Sequence, residues 1–204
     1  MELSVTQFVT LDGVYQAPGG PEEDPSGGFT HGGWSAPYGD DAFGEFMVSV
    51  FDQVDAFLLG RRTYEIFASY WPLHNDPANP IAAKLNSLPK YVATSTLDHA
   101  DWSSTELLQG DLAKEVTELK ARPGRELQVH GSGKLAQSLL ALGLVDTLNL
   151  LTFPVILGSG LRFFVDGAQP TGLTLAETHS TSTGVVISSY RKAGAPTYGD
   201  LGAE

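Results

Sequence analysis

The sequence predicts an α/β fold: a three-layer α/β/α sandwich with a mainly parallel mixed sheet and a C-terminal antiparallel hairpin. Strand-like apolar segments alternate with amphipathic helical segments through the middle of the chain, which is typical of parallel strands covered by helices on both faces. Near the C-terminus two strand-like segments are separated only by a turn, which indicates a hairpin at the sheet edge. The chain has 204 residues, 42% of them hydrophobic, enough for one sizeable core. We therefore predict one domain over residues 1–193 and a flexible tail over 194–204.

The N-terminal quarter is predicted to contain a strand, a long loop and a helix. Residues 3–9 alternate as a strand does, and residues 11–13 form a turn. Residues 16–38 are crowded with Gly, Pro, Asp and Ser, which predicts a loop. That loop is either a substrate lid or a segment that is disordered or covers a dimer interface. Residues 40–52 carry apolar side chains at helical spacing after an acidic start, which predicts an amphipathic helix.

The rest of the chain continues the alternation of strands and helices. Strands are predicted at residues 56–59, 90–94, 126–129 and 145–153. Helices are predicted at residues 63–70, 111–120 and 134–142. The hairpin pairs residues 173–178 with 185–190 around a turn at 181–184. These elements supply the parallel strands, the covering helices and the antiparallel edge of the predicted sandwich.

Composition excludes several classes of function. The formal net charge is −12, with 24 acidic and 12 basic side chains, so the surface field repels nucleic acid and anionic membranes. The chain has no cysteine, which excludes disulfides, Cys-ligated zinc and thiol nucleophiles, and its five histidines show no metal-ligand spacing. No stretch approaches the roughly 20 apolar residues of a membrane span, and the N-terminus lacks a signal-peptide pattern, so we expect a cytoplasmic protein without a metal.

Two strand-to-helix turns combine glycine with basic residues, a pattern that suits anions because free backbone N–H groups meet the positive end of a helix there. The first turn lies at residues 57–65, where Gly60 allows close backbone approach and Thr63 is expected to cap the helix and bind a phosphate. The second lies at residues 129–135. Taken singly, the first could be a capped helix with solvated arginines and the second an ordinary tight turn. Together they suit a pyrophosphate and a separate phosphate, as NADPH presents.

These motifs carry a resemblance to a known superfamily. Residues 57–65 resemble the motif with which dihydrofolate reductases hold the 2′-phosphate side of NADPH, and residues 129–135 resemble their glycine-rich pyrophosphate turn. Residues 91–96 resemble the strand whose polar end meets the adenosine ribose. Residues 10–13 and 153–160 look closer to the reductase domain of bacterial riboflavin synthesis, the RibD C-terminal domain, and its stand-alone relatives. The match spans residues 3–191, so the chain resembles a stand-alone member of the dihydrofolate reductase-like superfamily.

The resemblance implies a cofactor, NADPH, and a set of residues that hold it. Those expected at the phosphates and ribose are Gly60, Arg61, Arg62, Thr63, Thr94 and Ser95. Those expected to wrap the pyrophosphate are Gly131, Ser132, Gly133, Lys134 and Leu135. Those expected near the nicotinamide are Val9, Thr10, Gly13 and Val129. The paired arginines imply a preference for NADPH over NADH, which has no 2′-phosphate.

The substrate is less well defined than the cofactor. Folate reduction requires a carboxylate on the first long helix, and the corresponding position here falls on Gly44, which leaves Asp41 and Glu45 as the nearby catalytic candidates. Asp40 and Asp41 could equally be helix-start residues that complement the helix dipole. His130 enters the second turn and is the one histidine expected near the cofactor.

We therefore predict an NADPH-dependent reductase that delivers hydride to a C=N or C=O bond of a small heterocyclic or sugar-derived substrate, in the manner of 5-amino-6-(5-phosphoribosylamino)uracil reductase. One alternative is a nucleotide-binding or regulatory module of the same fold without turnover, and another is a structural dimer protein. By analogy with related domains we also expect a homodimer, paired through residues 148–153 and the C-terminal hairpin.

Overall fold

The structure, a computed structural model, describes residues 1–202 and contains an eight-stranded mixed sheet. Its strands are β1 Glu2–Thr10, β2 Val54–Gly60, β3 Lys90–Ala93, β4 Thr105–Leu108, β5 Glu126–His130, β6 Thr147–Phe153, β7 Gly172–Ser180 and β8 Val186–Gly194. The strand order is β4-β3-β2-β5-β1-β6-β8-β7. Strands β1 to β6 are mutually parallel, whereas β8 runs antiparallel to both β6 and β7. The predicted mixed sheet with a C-terminal antiparallel hairpin is confirmed.

Five α-helices cover the two faces of the sheet. They are α1 Asp41–Asp52, α2 Arg61–Tyr70, α3 Pro80–Ser87, α4 Leu112–Lys120 and α5 Gly133–Ala141. Successive residues of a strand point to opposite faces, so Leu58 of β2 packs in the cluster that includes α4 and α5. Its neighbours Phe57 and Leu59 pack in the cluster that includes Phe51 of α1 and Leu85 of α3. The central strands of the sheet are therefore buried between two helical layers, as a three-layer sandwich requires. No helix among residues 1–202 is long and apolar enough to cross a bilayer.

Two elements of the structure were not predicted from the sequence. Helix α3 begins at Pro80 with Asn79 as its N-cap, and the Asn79 side chain accepts hydrogen bonds from the N–H groups of Ile81 and Ala82. Asn followed by Pro is a helix-start signal that the sequence did contain. Strand β4 has four residues and pairs only with β3, and so short a segment carries too little alternation to be recognised.

The start of α2 also differs from the prediction. Thr63 was expected to cap this helix, but the helix begins at Arg61 with Gly60 in the N-cap position. Thr63 therefore lies inside the first turn, and the prediction that it caps the helix is wrong. The extended backbone of Gly60 continues directly from β2, which leaves no room for a separate capping residue. As a result both arginines stand in the first turn of α2.

The loop at residues 16–38 packs against the sheet. It contains two short 3₁₀ turns, and its Phe29 and Trp34 are buried in a cluster around Phe153 at the end of β6. The Trp34 indole N–H donates to the Gln16 carbonyl over 2.7 Å, which closes the loop on itself. The loop is thus held by its own aromatic anchors at the carboxyl end of the sheet.

The C-terminal hairpin is longer than predicted. Strand β7 forms the outer edge of the sheet, and most of its side chains are exposed. Strand β8 continues to Gly194, where the predicted tail begins. Residues 203 and 204, the last two of that tail, lie outside the described residues.

Candidate functional site

A large cavity lies at the carboxyl ends of β1, β2 and β5. Its volume is about 970 Å³. Its walls come from β1, the loop at residues 15–24, helices α1, α2 and α3, and the turn that joins β5 to α5. Ligands of open α/β sheets bind in the crevice outside the carboxyl ends of the strands, so this cavity is the candidate functional site.

The turn between β5 and α5 presents free backbone donors to the cavity. Gly131 and Ser132 both have left-handed backbone conformations, with φ of 59° and 56°, and helix α5 begins immediately after them. The Gly131 N–H is used, since it donates to the Thr6 carbonyl over 3.1 Å. No acceptor within residues 1–202 takes the N–H groups of residues 132–135. Four unpaired donors at a helix N-terminus form a cradle for an anion.

The two basic turns predicted from the sequence meet in the structure. The Ser132 hydroxyl oxygen accepts a 2.9 Å hydrogen bond from the N–H of Gly60, the residue that joins β2 to α2. This bond connects positions 72 residues apart in the chain. Arg61, Arg62, Thr63 and Lys134 consequently line one continuous cavity together with the free donors of the second turn.

The two arginines of α2 have different partners. Arg61 donates from Nε to Glu65 over 2.8 Å and from a terminal nitrogen to the Thr96 hydroxyl over 2.6 Å, and its side chain is about half exposed. Arg62 donates to the Asp24 carboxylate over 2.6 Å and to the Ser26 hydroxyl over 3.1 Å. Arg62 thus ties the 16–38 loop to α2, whereas Arg61 pairs with Glu65 of its own helix and reaches Thr96 beyond the end of β3.

The Asp24 carboxylate is held in its ionised form. Burial alone would raise its pKa, but hydrogen bonds from Ser26 and the guanidinium of Arg62 outweigh burial, and the pKa lies below its usual range. Carboxylates of the chain therefore already pair with both arginines predicted to bind phosphate, Asp24 with Arg62 and Glu65 with Arg61.

The cavity gathers most of the residues predicted to bind phosphate and leaves out the others. The residues that line it are Gly60, Arg61, Arg62, Thr63, Gly131, Ser132, Gly133, Lys134 and Leu135. Those that do not are Val9, Thr10, Gly13, Thr94, Ser95, Val129, Asp41 and Glu45. Val9 and Val129 are buried in the core under α5. At the end of β3, Thr96 rather than Ser95 contacts Arg61.

The two carboxylates suggested as catalytic do not face the cavity. Asp41 and Glu45 are exposed on α1, while Gly44 between them lines the cavity. Glu45 is turned by about 100° around the helix axis from position 44, and Asp41 lies three residues earlier, about 60° away on the preceding turn. Neither side chain lines the cavity at the place of residue 44. Asp40 has the role proposed in the alternative reading, since its side chain accepts from the Phe43 N–H as an N-cap.

The segment from Thr10 to Gly13 has a structural role. The Thr10 hydroxyl donates to Asp12 over 2.6 Å, and the Asp12 carboxylate accepts from the N–H groups of Leu157 and Gly158. Arg162 also contacts Asp12. Partial burial would raise the pKa of Asp12, but these hydrogen bonds lower it to about 2. The motif thus fastens the end of β1 to the segment after β6.

Sequence reasoning missed the part of the cavity that is lined by hydrophobic residues. We call it the apolar lobe, formed by Phe43, Met47, Phe51, Phe67, Trp71, Ile81 and Leu85. These side chains come from α1, α2, the 3₁₀ turn after α2, and α3. Their spacing on amphipathic helices is that of core residues, so the sequence contained no signal that they border an open space, and α3 itself was not predicted.

The Tyr15 ring and Gly133 lie against each other at the cavity wall. The Tyr15 ring lies directly over Gly133, so that a Cβ atom at position 133 would overlap the ring. The ring is half buried and packs against Phe163 at 6.4 Å between centroids. Only glycine lets the first turn of α5 approach this wall.

We expect Gly133→Ala to lower the free energy of unfolding by about 1–3 kcal/mol, because the new methyl group must displace the packed Tyr15 ring. Thermal or urea denaturation measures the loss. Tyr15→Ala removes the ring that the new methyl group would meet. The loss of stability in the double variant should therefore be about 0.5–3 kcal/mol smaller than the sum of the losses in the two single variants. Gly44→Ala is the matched control, since nothing lies within 4 Å of its added methyl group, and it should not destabilise the protein. Additive single effects would contradict the overlap.

This chain is similar to known proteins in sequence and in fold. The sequence model of the RibD C-terminal domain family matches residues 2–187. The uncharacterized protein YyaP of Bacillus subtilis (strain 168) is 30% identical over 184 residues, which cover 87% of this chain and 88% of YyaP. A provisionally named riboflavin biosynthesis protein from Shewanella sp. PV-4 superposes with a TM-score of 0.68 at 20% identity, covering 94% of this chain and 99% of that one. Dihydrofolate reductase from Enterococcus faecalis, complexed with NADP(H) and RAB-propyl, superposes with a TM-score of 0.60 at 13% identity, covering 94% and 96%. The two superpositions establish a shared fold.

Proposed function

The chain belongs to the RibD C-terminal domain family, and on that premise we propose that it is an NADPH-dependent reductase acting on a C=N or C=O bond of a small substrate. One observation carries the proposal: the Gly60–Ser132 hydrogen bond joins the arginine-bearing turn and the free-donor turn in a single cavity. A pyrophosphate and a separate phosphomonoester need two such anion sites in one crevice. The structural neighbour that is a dihydrofolate reductase was solved as a complex with NADP(H), which supports this reading.

The residues present fit this cofactor. The N–H groups of residues 132–135 would hold the pyrophosphate at the start of α5, where the helix dipole favours negative charge. Arg61 and Thr96 would hold the 2′-phosphate through forked and hydroxyl donors. NADPH, when bound, supplies the hydride, and this chain supplies binding, orientation and exclusion of water. The apolar lobe would receive the substrate.

The carboxylates that line the cavity are all engaged. Glu23 accepts from the N–H groups of Gly19 and Gly20, Asp24 pairs with Arg62, and Glu65 pairs with Arg61. This observation favours a second candidate, a nucleotide-binding module of the same fold without turnover. NADPH consumption that is stimulated by an added substrate would exclude the second candidate, and tight NADPH binding without such stimulation in a broad substrate screen would favour it.

We expect wild-type protein to bind NADPH more tightly than NADH, with most of the difference supplied by Arg61. Tryptophan-fluorescence titration with each nucleotide measures both affinities, since Trp71 lines the cavity. Arg61→Ala should lower NADPH affinity about 10- to 100-fold and leave NADH affinity nearly unchanged, because charge-assisted hydrogen bonds to the 2′-phosphate are lost. Arg62→Ala should lower both affinities to a similar extent, because Arg62 anchors the loop.

The control for these variants is Arg125→Ala. Arg125 pairs with Asp55 at the amino end of the sheet, so its removal deletes the same charge far from the cavity. It should reproduce the wild-type preference. If neither nucleotide binds, or if Arg61→Ala keeps the preference for NADPH, the proposed cofactor site is wrong.

The homodimer and the cytoplasmic location remain predictions. Leu148, Leu151 and Phe153 are buried inside the protomer, so the apolar character of residues 148–153 is explained without a partner. The dimer prediction now rests on Leu173 and Leu175, two exposed apolar side chains of the hairpin that a second copy of the chain could cover. Light scattering of the purified protein measures its mass in solution and distinguishes a monomer from a dimer.

A further inference from the structure

A column of hydrogen-bonded polar side chains runs along one face of β5 and ends at the cavity. Glu126, Gln128 and His130 alternate along the strand and therefore point to the same side of the sheet. The Gln128 side-chain nitrogen donates to the Glu126 carboxylate over 2.8 Å and to the Val50 carbonyl over 2.7 Å. His130 Nε2 lies 2.9 Å from the Gln128 side-chain oxygen. The column thus fixes the position of the His130 ring.

This network also determines the tautomer of His130. The Glu126 carboxylate and the Val50 carbonyl can only accept, so the Gln128 amide nitrogen must face them and its oxygen must face His130. Nε2 of His130 therefore carries the hydrogen, and Nδ1 carries a lone pair. Burial lowers the pKa of His130 to about 3, so the ring stays neutral near pH 7. The ring stacks on Phe51 at 4.5 Å between centroids, which holds its plane.

The Nδ1 atom of His130 is a free acceptor at the cavity wall. It has no hydrogen-bond partner within residues 1–202. Among the described residues, the one fully buried side-chain polar atom without a partner is Gln7 Oε1, so Nδ1 is not fully buried. His130 itself lines the cavity, between the apolar lobe and the turn at Gly131. An oriented, neutral acceptor therefore opens to the space where the lobe meets the anion cradle.

Charge is distributed unevenly around the cavity. Its charged lining residues are Glu23, Asp24, Arg61, Arg62, Glu65 and Lys134, and all of them belong to the 16–38 loop or to the two basic turns and their helices. The residues of the apolar lobe carry no charge. A phosphate, carboxylate or ammonium group placed in the lobe would lose its hydration without gaining a partner, at a cost of several kcal/mol. The lobe is therefore built for an uncharged ligand.

We propose that the substrate is an uncharged planar ring compound that occupies the apolar lobe and donates an N–H or O–H hydrogen bond to Nδ1 of His130. The proposal rests on the proposed reductase function and names the substrate class of that site. His130 is the specificity-determining residue, and Gln128 and Glu126 are positioning residues that act through it. Within the described residues, the cavity has no second cluster of cations that could bind a phosphate on the substrate. Phosphorylated compounds are therefore excluded from the lobe.

Three probes of one ring system test the proposal. They are 2-naphthol, which has a donor, 2-methoxynaphthalene, which has none, and 2-naphthyl phosphate, which is charged. Chemical-shift titrations of the isotope-labelled full chain should show that 2-naphthol binds about tenfold more tightly than its methyl ether, the usual effect of one neutral hydrogen bond. The phosphate should not bind in the lobe. Equal binding of 2-naphthol and its ether, or tightest binding of the phosphate in the lobe, would overturn the proposal.

Two substitutions separate the two nitrogens of the ring. His130→Gln retains a donor that can reach Gln128 but removes the acceptor at the δ position, so the preference for 2-naphthol over its ether should vanish. His130→Asn places an oxygen acceptor at the δ position and gives up the donor to Gln128, so it should retain part of the preference. The reverse order of the two variants would contradict the assignment of Nδ1 as the recognising atom.

A spectroscopic measurement on the wild-type protein avoids any dependence on folding of the variants. In long-range proton–nitrogen spectra, the resonance of the unprotonated His130 ring nitrogen should shift on addition of 2-naphthol and stay in place with 2-methoxynaphthalene. A purely structural histidine would not respond in this way. A protonated Nδ1, or an unchanged resonance at saturating 2-naphthol, would overturn the proposal.

The nucleotide titration distinguishes this proposal from the function on which it rests. If NADPH fails to bind while 2-naphthol still outcompetes its ether, the proposed reductase function fails and recognition by His130 stands. If NADPH binds and the probes are not discriminated, the reductase function stands and the role given to His130 fails.

Discussion

Phe153→Ala is expected to lower the free energy of unfolding by about 3–5 kcal/mol, the range for a buried aromatic side chain removed without full collapse of the cavity. Phe153 is the last residue of β6, and its side chain is fully buried. Its ring contacts Phe8 of β1, Phe43 of α1 and two rings of the 16–38 loop, Trp34 and Tyr38, with centroids 5.2 to 6.1 Å apart. One substitution therefore loosens the sheet, a helix and the loop together.

Urea denaturation measures this loss, and limited proteolysis at residues 16–38 should become faster than in the wild-type protein. The matched control is Phe164→Ala, since Phe164 is more than half exposed, and its removal should change stability by about 0.5 kcal/mol or less. Similar losses for the two variants would show that the aromatic cluster around Phe153 does not anchor the loop.

Lowering the pH from 7 to 5 is expected to reduce the free energy of unfolding by about 2 kcal/mol through His130 alone. Burial lowers the pKa of His130 from its ordinary value of 6.5 to about 3 in the folded protein. Between these two values the unfolded chain binds more protons than the folded one, so stability is fully present above pH 6.5 and falls as the pH falls towards 3. By pH 4 the expected loss is about 3 kcal/mol.

Urea denaturation at several pH values measures this slope. Acidic groups with lowered pKa values, such as Asp12, act only below about pH 4. Glu23, whose pKa burial raises, acts with the opposite sign, because the folded protein then binds its proton more tightly than the unfolded chain does. His130→Gln should flatten the dependence between pH 7 and 5, while His99→Gln, which replaces an exposed histidine, should leave it unchanged. A slope that survives in His130→Gln would show that this histidine is not the group responsible.

The sequence predicted those parts of the site whose chemistry lies in local motifs. Gly60 to Thr63 and Gly131 to Leu135 each combine a strand end, glycine and basic residues within a few positions, so both turns could be recognised and their meeting expected from the parallel sheet. The hydrogen bond from Gly60 to Ser132 could not be predicted, because it depends on the packing of β2 beside β5 and on the left-handed backbone of Ser132.

The parts that escaped prediction depend on contacts between distant segments. Asp24 was one polar residue among many in the 16–38 loop, and nothing near it in sequence indicated a partner 38 positions away in Arg62. The apolar lobe escaped for a different reason. Residues such as Met47 and Phe67 have the same helical spacing whether they fill a core or border a cavity, and only the arrangement of α1, α2 and α3 around the sheet leaves space between them.

Gly60 and Ser132 are 72 residues apart in the sequence, so the complete anion site can form only after the chain has been synthesised and folded beyond Ser132. The two halves of the anion site come together only when α5 has docked. An emerging polypeptide that ends before this helix lacks the half with the free backbone donors. Conversely, a ligand that spans both turns favours the native state over every partly folded form. At a concentration of 100 times its dissociation constant it would add about 2.7 kcal/mol to stability. A shift in melting temperature with added nucleotide would then report on how completely the chain has folded, as well as on occupancy of the site.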